Sequence, residues 1–311
     1  MKPKLAARPR GVRLMALGAG ALGLGAGAAV ALPSSGEAQS PAATMAVQKG
    51  DQRVGYRERV VLRGDIASGQ AEKPVALQYA PDGDDWRTLR EIRSLEGGRY
   101  AASVRPRRSG RVRVAADGGQ SAAQPVAVAA RVHAEVRRHV RRGGVVLVKG
   151  TVRPGHSGRR VYVQIHRDGD WDTVEGTRTR DGGRFKAAWR QRDTGSFRVR
   201  AVFRGDSRNA RHADRASGHL NVYRSGHASW YGPGFYGNRT ACGRTLGRGT
   251  LGVAHKSLPC GTDVTFRYRG RSVTVPVIDR GPYAAGRDWD LTGATKRKLR
   301  FGSTGTVWAA Y

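Results

Sequence analysis

Three things are scarce in this chain, and each scarcity removes a class of function. Cysteine occurs only at Cys242 and Cys260 in 311 residues. With no paired histidines nearby, two thiols do not make a zinc site, and neither a metal nor a cofactor is expected. Acidic residues number 24 against 56 Lys plus Arg, a formal charge of +32. The arginines are spread at similar density along the whole length, so the clustered footprint of a nucleic-acid reader is missing and no nucleic-acid partner is expected. Long apolar runs are absent beyond residue 32, so no later segment can span a bilayer core. Charge dispersed in this way instead predicts salt-sensitive attraction to anionic polymers. The 39% of hydrophobic residues, regularly alternating with polar ones, suffices to bury cores, and the length suggests two or three domains.

The amino-terminal segment points to export. Lys2, Lys4, Arg8, Arg10 and Arg13 precede an uncharged stretch from Leu14 to Leu32, the order of a secretory signal. Residues 1–45 are therefore read as signal peptide and linker. Ala29 with Ala31, or Gly36 with Ala38, offer cleavage sites. The alternative is an uncleaved anchor, since the run is about long enough to cross a membrane. Outside the cytoplasm two cysteines are expected to form a bridge, because oxidation makes a free thiol nucleophile a poor expectation.

The middle of the chain repeats. Val60-Val61-Leu62-Arg63-Gly64, Val75 to Tyr79, Trp86, Gly97-Gly98-Arg99-Tyr100 and Val112-Arg113-Val114 recur in order as Val146 to Gly150, Val161 to Ile165, Trp171, Gly182-Gly183-Arg184-Phe185 and Phe197-Arg198-Val199. Each copy alternates at period two between turn clusters such as Asp82-Gly83-Asp84-Asp85 and Arg180-Asp181-Gly182-Gly183, the pattern of half-buried antiparallel strands. The copies, 46–130 and 131–223, resemble tandem Ig-like β-sandwich modules of bacterial surface proteins without the cysteine pair of antibody domains, and are assigned to spacing and attachment. Trp86 and Trp171 read either as sugar-stacking platforms or as packing residues repeated with the fold.

From Gly226 the composition changes. Gly and Pro within Ala228 to Gly237 predict a loop. Strands are expected at Val264 to Tyr268, Val273 to Ile278 and through Val307, Trp308 and Ala309. A short helix is expected with Thr292 as N-cap, Ala294 and Leu299 inward and Gly302 as terminator. About 85 residues of short strands with one helix fit a small closed barrel.

Six ordered motifs then become specific. Ala228-Ser229-Trp230-Tyr231-Gly232, Thr240-Ala241-Cys242-Gly243, Ala254-His255-Lys256-Ser257-Leu258-Pro259, Gly261-Thr262, Ile278-Asp279-Arg280-Gly281-Pro282-Tyr283 and Asp290-Leu291-Thr292 resemble the rare lipoprotein A (RlpA-like) family of septal lytic transglycosylases. The resemblance covers residues 226–311 and implies a six-stranded double-psi β-barrel, a fold shared with expansins. It also implies peptidoglycan glycan strands as substrate and the cell wall as location. The whole chain is thus expected to be mostly β, two Ig-like modules followed by the barrel.

By that resemblance Asp279 and His255 are the catalytic candidates and Asp290 lies beside the glycan groove; Trp230, Tyr231, Tyr236, Arg244 and Tyr283 join Asp290 as substrate-binding candidates. Many family members carry a glutamate where this chain has Arg244. Glycoside cleavage usually uses two carboxyl groups. A lytic transglycosylase closes an anhydro ring with the sugar's own 6-hydroxyl, however, so one carboxyl, here Asp279, can serve as acid and then base. Burial against Tyr283 or Trp289 would raise its pKa, and Arg280 or Arg244 close by would lower it. Structural roles compete with each assignment: Asp279 as a turn cap, Asp290 as the cap of the helix, His255 as a core histidine. Trp230, Tyr231, Phe235, Tyr236 and Trp289 are too many aromatics for a small barrel to bury, so some are expected to form a sugar platform. The alternative reading is a non-catalytic, expansin-like wall-binding module in which Arg244 meets substrate carboxylates.

Overall fold

Alternation of valines with arginines sets the architecture, because a period-two pattern can bury only one face of a sheet. In the computed structural model the described residues are 43, 46–48, 53–81, 83 and 85–311. The expected signal peptide and linker, and Asp82 and Asp84 of the first turn cluster, lie outside them.

Nine strands build the first module: β1 (Ala46–Gln48), β2 (Arg53–Gly55), β3 (Val60–Asp65), β4 (Pro74–Ala80), β5 (Arg87–Arg93), β6 (Arg99–Val104), β7 (Gly110–Ala116), β8 (Gly119–Gln120) and β9 (Gln124–Ala129). One sheet has the order β1-β3-β6 and the other runs β2-β9-β7-β4-β5, with β8 on β7. Leu62, Tyr100, Leu77, Val112 and Val114, from both sheets, share one apolar core. The second module repeats the plan with β10 (Arg131–Val136), β11 (His139–Arg141), β12 (Val145–Arg153), β13 (Arg160–Arg167), β14 (Asp170–Arg178), β15 (Arg184–Arg190), β16 (Gly195–Gly205) and β17 (Ala210–Tyr231). Its sheets are β10-β12-β15 and β11-β17-β16-β13-β14, around Val146, Val163, Ile165, Phe185 and Leu220. The repeated Gly-Gly pairs have a shared cause: Gly97, Gly98, Gly182 and Gly183 stand at φ of 71°, 72°, 69° and 71°, a left-handed region that other residues enter at a cost. The outer edges are β5, exposed at every position but Ile92, and β14.

The two copies meet where Ala129 pairs with Ala210. Asn209 Nδ2 reaches across to the carbonyl of Arg107 (3.0 Å).

Six strands close the C-terminal barrel: the end of β17, β18 (Val253–Ala254), β19 (Asp263–Tyr268), β20 (Arg271–Asp279), β21 (Trp289–Thr292) and β22 (Gly305–Ala310). The order is β17-β22-β19-β20-β18-β21, and β21 returns to β17. Of the stretch from Ala228 to Gly237 expected as loop, Ala228 to Tyr231 is strand. Glycine at 226 lets β17 pass over Trp289, whose Nε1 would lie 2.7 Å from a Cβ there, and the loop begins only at Gly232. Trp289 is fully buried among Phe266, Leu291 and Leu299, so it is a core residue and no part of a sugar platform.

The helix α1 (Gly293–Leu299) starts at Thr292, whose hydroxyl accepts from the Thr295 N–H, and buries Ala294 and Leu299. It stops earlier than Gly302, at Arg300, which takes the left-handed conformation (φ 51°) and donates its N–H back to the last-turn carbonyls. Thr295 is wholly buried; its Oγ1 accepts from Gly252 N–H (3.0 Å) and donates to Gly252 C=O (2.8 Å), tying the helix to the chain entering β18. Thr295→Val would leave the Gly252 N–H unpaired in the interior, since only the carbonyl keeps a second partner in the Thr292 N–H (3.2 Å), at a cost of about 1–3 kcal/mol. The expected outcome is a calorimetric melting point several degrees lower; an unchanged one would show that this tie is dispensable.

Candidate active site

One row of residues across four neighbouring strands defines the site. Asp279, last in β20, is opposite Ala254 of β18; Ala254 is opposite Asp290 of β21; Asp290 is opposite Ser229 of β17. Strand spacing of about 4.8 Å thus brings together carboxylates distant in sequence. They share a cleft of about 580 Å³ lined by Trp230, Tyr231, Phe235, Arg280, Tyr283 and Arg287 among others.

Asp279 is held from one side. Its Oδ1 accepts the N–H groups of Ala241 (2.8 Å) and Arg280 (2.9 Å). Asp290 is half-buried, and its Oδ1 accepts the Ser229 hydroxyl (2.8 Å). Burial pushes the Asp290 carboxyl up; the negative charge of Asp279 adds to the rise, while Ser229 and Arg287 pull the other way. Desolvation disfavours the ion and a like charge disfavours it further. The Tyr231 hydroxyl is buried beside Asp279. Burial and then the charges of Asp279 and Asp290 hold its proton firmly on, so it is a neutral donor beside both carboxylates.

The other sequence candidates occupy different places. The backbone N–H of His255 donates to the Asp279 carbonyl (3.2 Å), but its ring turns away to lie against Trp289, centroids 4.5 Å apart. Its Nδ1 accepts from Ser257 N–H (3.2 Å) and Leu258 N–H (3.0 Å), which places the proton of the neutral ring on Nε2. Burial lowers its pKa, and Arg224, Arg280 and Lys256 add to the lowering against Asp288. Trp230 lines the cleft and carries Lys296 Nζ 3.6 Å from its ring centroid. Tyr236 packs against Gly232 and Gly293, where a Cβ would come within 2.4 and 2.7 Å of its hydroxyl. Arg244 is exposed on the turn closed by the Thr240 N–H to Arg244 C=O bond (2.8 Å) and is not among the cleft-lining residues. Tyr283, 87% exposed, and Phe235, 55% exposed, stand at the rim. Tyr283 is too open to desolvate Asp279.

Sequence reading missed Ser229 as the partner of Asp290, and Arg280 as a strut. Arg280 Nη1 donates to the Leu258 carbonyl (2.9 Å), and Nη2 approaches Cys260 Sγ (3.3 Å). The Ser229/Asp290 pairing was accessible in principle from two strands in parallel register, but sequence does not announce register. Cys242 and Cys260 are bridged, with Cα atoms 5.7 Å apart. The bridge pins the turn that presents the Ala241 N–H to Asp279. Among the described residues no group of three or more His, Cys, Asp or Glu side chains could hold a metal ion. Among them, too, no helix is long and apolar enough to cross a membrane.

With this geometry in place, comparison defines the class. Residues 223–311 match a family model described as lytic transglycolase, and the C-terminal domain is an RlpA-like double-psi β-barrel. A probable endolytic peptidoglycan transglycosylase RlpA of Synechocystis is 42% identical over 92 residues, 29% of this chain and 29% of that protein. The endolytic peptidoglycan transglycosylase RlpA of Campylobacter jejuni is 43% identical over 84 residues, 26% and 30% of the two chains. The matched part thus spans about a third or less of these curated relatives. Among solved structures, a tetra-tandem repeat from the extending region of a large adhesion protein aligns over 87% of this chain and 74% of that one at 14% identity. Its TM-score of 0.30 is too low to carry an argument.

Two outcomes follow. Native protein should show no reactive thiol. Cys242→Ser with Cys260→Ser should lower the melting point by the equivalent of roughly 3 kcal/mol, the loop-closure value for a bridge of this span; two labelled thiols in unreduced protein would refute the pairing. For Asp290, a folded-state pKa above the reference of 3.8 means that the folded state binds more protons between the two values. Stability then falls as pH rises through that window, and the loss is complete above it. Asp290→Asn removes the loss, so its melting point relative to native should improve from acid to neutral pH. A variant that instead becomes relatively less stable toward neutral pH would show that the carboxylate is a stabilising cap.

Proposed function

We propose that the barrel is an exported peptidoglycan-cleaving domain of the lytic transglycosylase type, with Asp279 and Asp290 as its proton-transfer pair. The observation that carries this is one cleft holding two carboxyls in contrasting settings, Asp279 fixed by two amide N–H groups and Asp290 raised by burial and by Asp279 itself. A carboxyl raised in this way keeps the proton that a general acid must deliver. Asp290 gives its proton to the glycosidic oxygen as the bond from the anomeric carbon breaks. The sugar's 6-hydroxyl attacks that carbon, and its proton passes to Asp279. No water is consumed, and the proton returns from Asp279 to Asp290 through solvent in the open cleft. Tyr231 and Trp230 line the floor against the sugar, with Tyr283 at the rim. His255 supports the Asp279 strand end through its backbone and the following turn through its ring.

The residues before the barrel are proposed to be two Ig-like spacer modules, 46–130 and 131–223, that hold the domain in the wall. Residues 1–45 are proposed to direct export. A second reading, a non-catalytic expansin-like binder, is supported by the exposed rim residues Phe235 and Tyr283, which suit glycan retention without cleavage.

Mass spectrometry of purified glycan strands digested with the protein separates the two readings. Anhydro-muramyl ends are expected from native protein. At least a hundredfold fewer are expected from Asp279→Asn and from Asp290→Asn, general acid–base groups contributing about 10²–10⁴ in rate, with glycan binding retained in both. Native protein that binds strands but forms no anhydro ends from acid to neutral pH would leave the binding reading in place.

A further inference from the structure

Core positions recur between the two modules because the fold recurs, but the outward faces of their sheets are under no such obligation. Yet one polar constellation is reproduced there. In the first module Arg113 of β7 lies over Trp86 with its guanidinium carbon 4.0 Å from the ring centroid, and its Nε donates to Gln78 Oε1 of β4 at 2.8 Å. In the second, Arg200 of β16 lies over Trp171 at 4.0 Å and its Nε donates to Gln164 Oε1 of β13 at 2.8 Å. A second arginine two residues earlier stands farther from each ring, Arg111 at 5.7 Å and Arg198 at 6.0 Å. A threonine faces each glutamine across the ladder, Thr88 and Thr173.

The arrangement orients a cation. Glutamine occupies Nε and tryptophan supports the guanidinium plane, which leaves the two Nη groups in a fixed fork suited to an oxyanion. Among the described residues no carboxylate pairs with Arg113 or Arg200. In the second module Arg215 is directly opposite Arg200 on β17; burial, followed by the charges of Arg211 and Arg215, lowers the Arg200 pKa. Arg200 and Arg215 held opposite each other, with no carboxylate on Arg200 among the described residues, are complementary to a ligand carrying several anions. Because a guanidinium already covers a face of each tryptophan, these rings are poorly placed to stack sugars or bases, which disfavours a neutral glycan or a nucleic acid as occupant.

We infer that the outer sheet faces carrying Gln78/Trp86/Arg113 and Gln164/Trp171/Arg200 are two copies of one binding site for a non-aromatic phosphodiester polymer. Repeated phosphates along one chain would engage both copies, so that each site raises the effective concentration at the other. This inference rests on the attachment role proposed above only for placing the modules outside the cytoplasm. It is tested without wall material and without cleavage, so its failure and that of the barrel's proposed activity are separable.

The full-length protein is titrated with soluble poly(glycerol phosphate) at low and physiological salt, using duplex DNA and polygalacturonate as comparison probes. Arg113→Gln with Arg200→Gln should weaken poly(glycerol phosphate) binding at least tenfold. The charge-matched pair Arg105→Gln with Arg192→Gln, on exposed positions elsewhere in the two modules, should change it less than twofold. Gln78→Leu with Gln164→Leu keeps every charge and should still weaken binding several-fold, which covers the case in which the arginine variants fail to fold. An equal loss from the charge-matched pair, or no loss from the glutamine pair, would assign binding to the overall charge and overturn the inference. Tighter binding of DNA or polygalacturonate, with the same selective loss in the arginine variants, would overturn the choice of occupant.

Discussion

One strand holds the site and its support together. β17 runs for 22 residues from Ala210 to Tyr231. Its first part pairs with β16 in the second module, and its last part closes the barrel against β22 and β21. The backbone that ends in Trp230 and Tyr231 at the cleft therefore begins in another core, with no intervening loop. Backbone hydrogen bonds on both flanks leave few soft dihedrals at the crossing, so the cleft is presented in one orientation relative to the second module.

The chemistry of the cleft follows from closing a small barrel. Closure brings β20, β18, β21 and β17 side by side, and the short β18 contributes only Ala254 to the row between the carboxylates. A small residue there keeps the cleft open between Asp279 and Asp290. The hydrogen bonds from Ala241 and Arg280 occupy one oxygen of Asp279, while Ser229 occupies one of Asp290. Each carboxyl is thus oriented without being fully saturated. The disulfide and the Arg280 strut lie behind this row and fix the turn from which the Ala241 N–H is donated.

Much of this was legible in the residues. Alternation located the repeated strands, and Thr292 announced the helix it caps. The six motifs gave the barrel together with Asp279, Asp290, Trp230, Tyr231 and Tyr283, all of which line one cleft. Where local reading failed, long-range geometry was the reason. Ala228 to Tyr231 looked like loop because glycine and proline crowd the residues just after it, but the segment pairs with β21 and β22, and Gly226 lets β17 clear Trp289. Trp289 was counted among candidate platform residues because composition cannot say which aromatic a barrel swallows. Gly302 was the evident helix terminator until Arg300 was found in the left-handed conformation. Arg244 drew attention by replacing a family glutamate, whereas the structure sets it on an exposed turn outside the cleft. The coupling of Asp290 to Ser229 depends on register, which one chain read alone does not specify.

The charged outer edges of the modules bear on how such a chain reaches its folded state. Two copies of one topology joined in tandem hold each other's strands at high local concentration, the condition under which edges pair with the wrong neighbour. On β5, Arg87, Arg90, Glu91 and Arg93 line the edge, with Arg87 paired to Asp85; on β14, Asp170, Asp172, Glu175 and Arg178 do so. A strand docking there from the sibling repeat would have to strip water from several charges without compensation. The arginine that dominates the composition, together with these acids, thereby acts as insulation between repeats, keeping each chain segment with its own sheet while the polymer is still being assembled into its native shape.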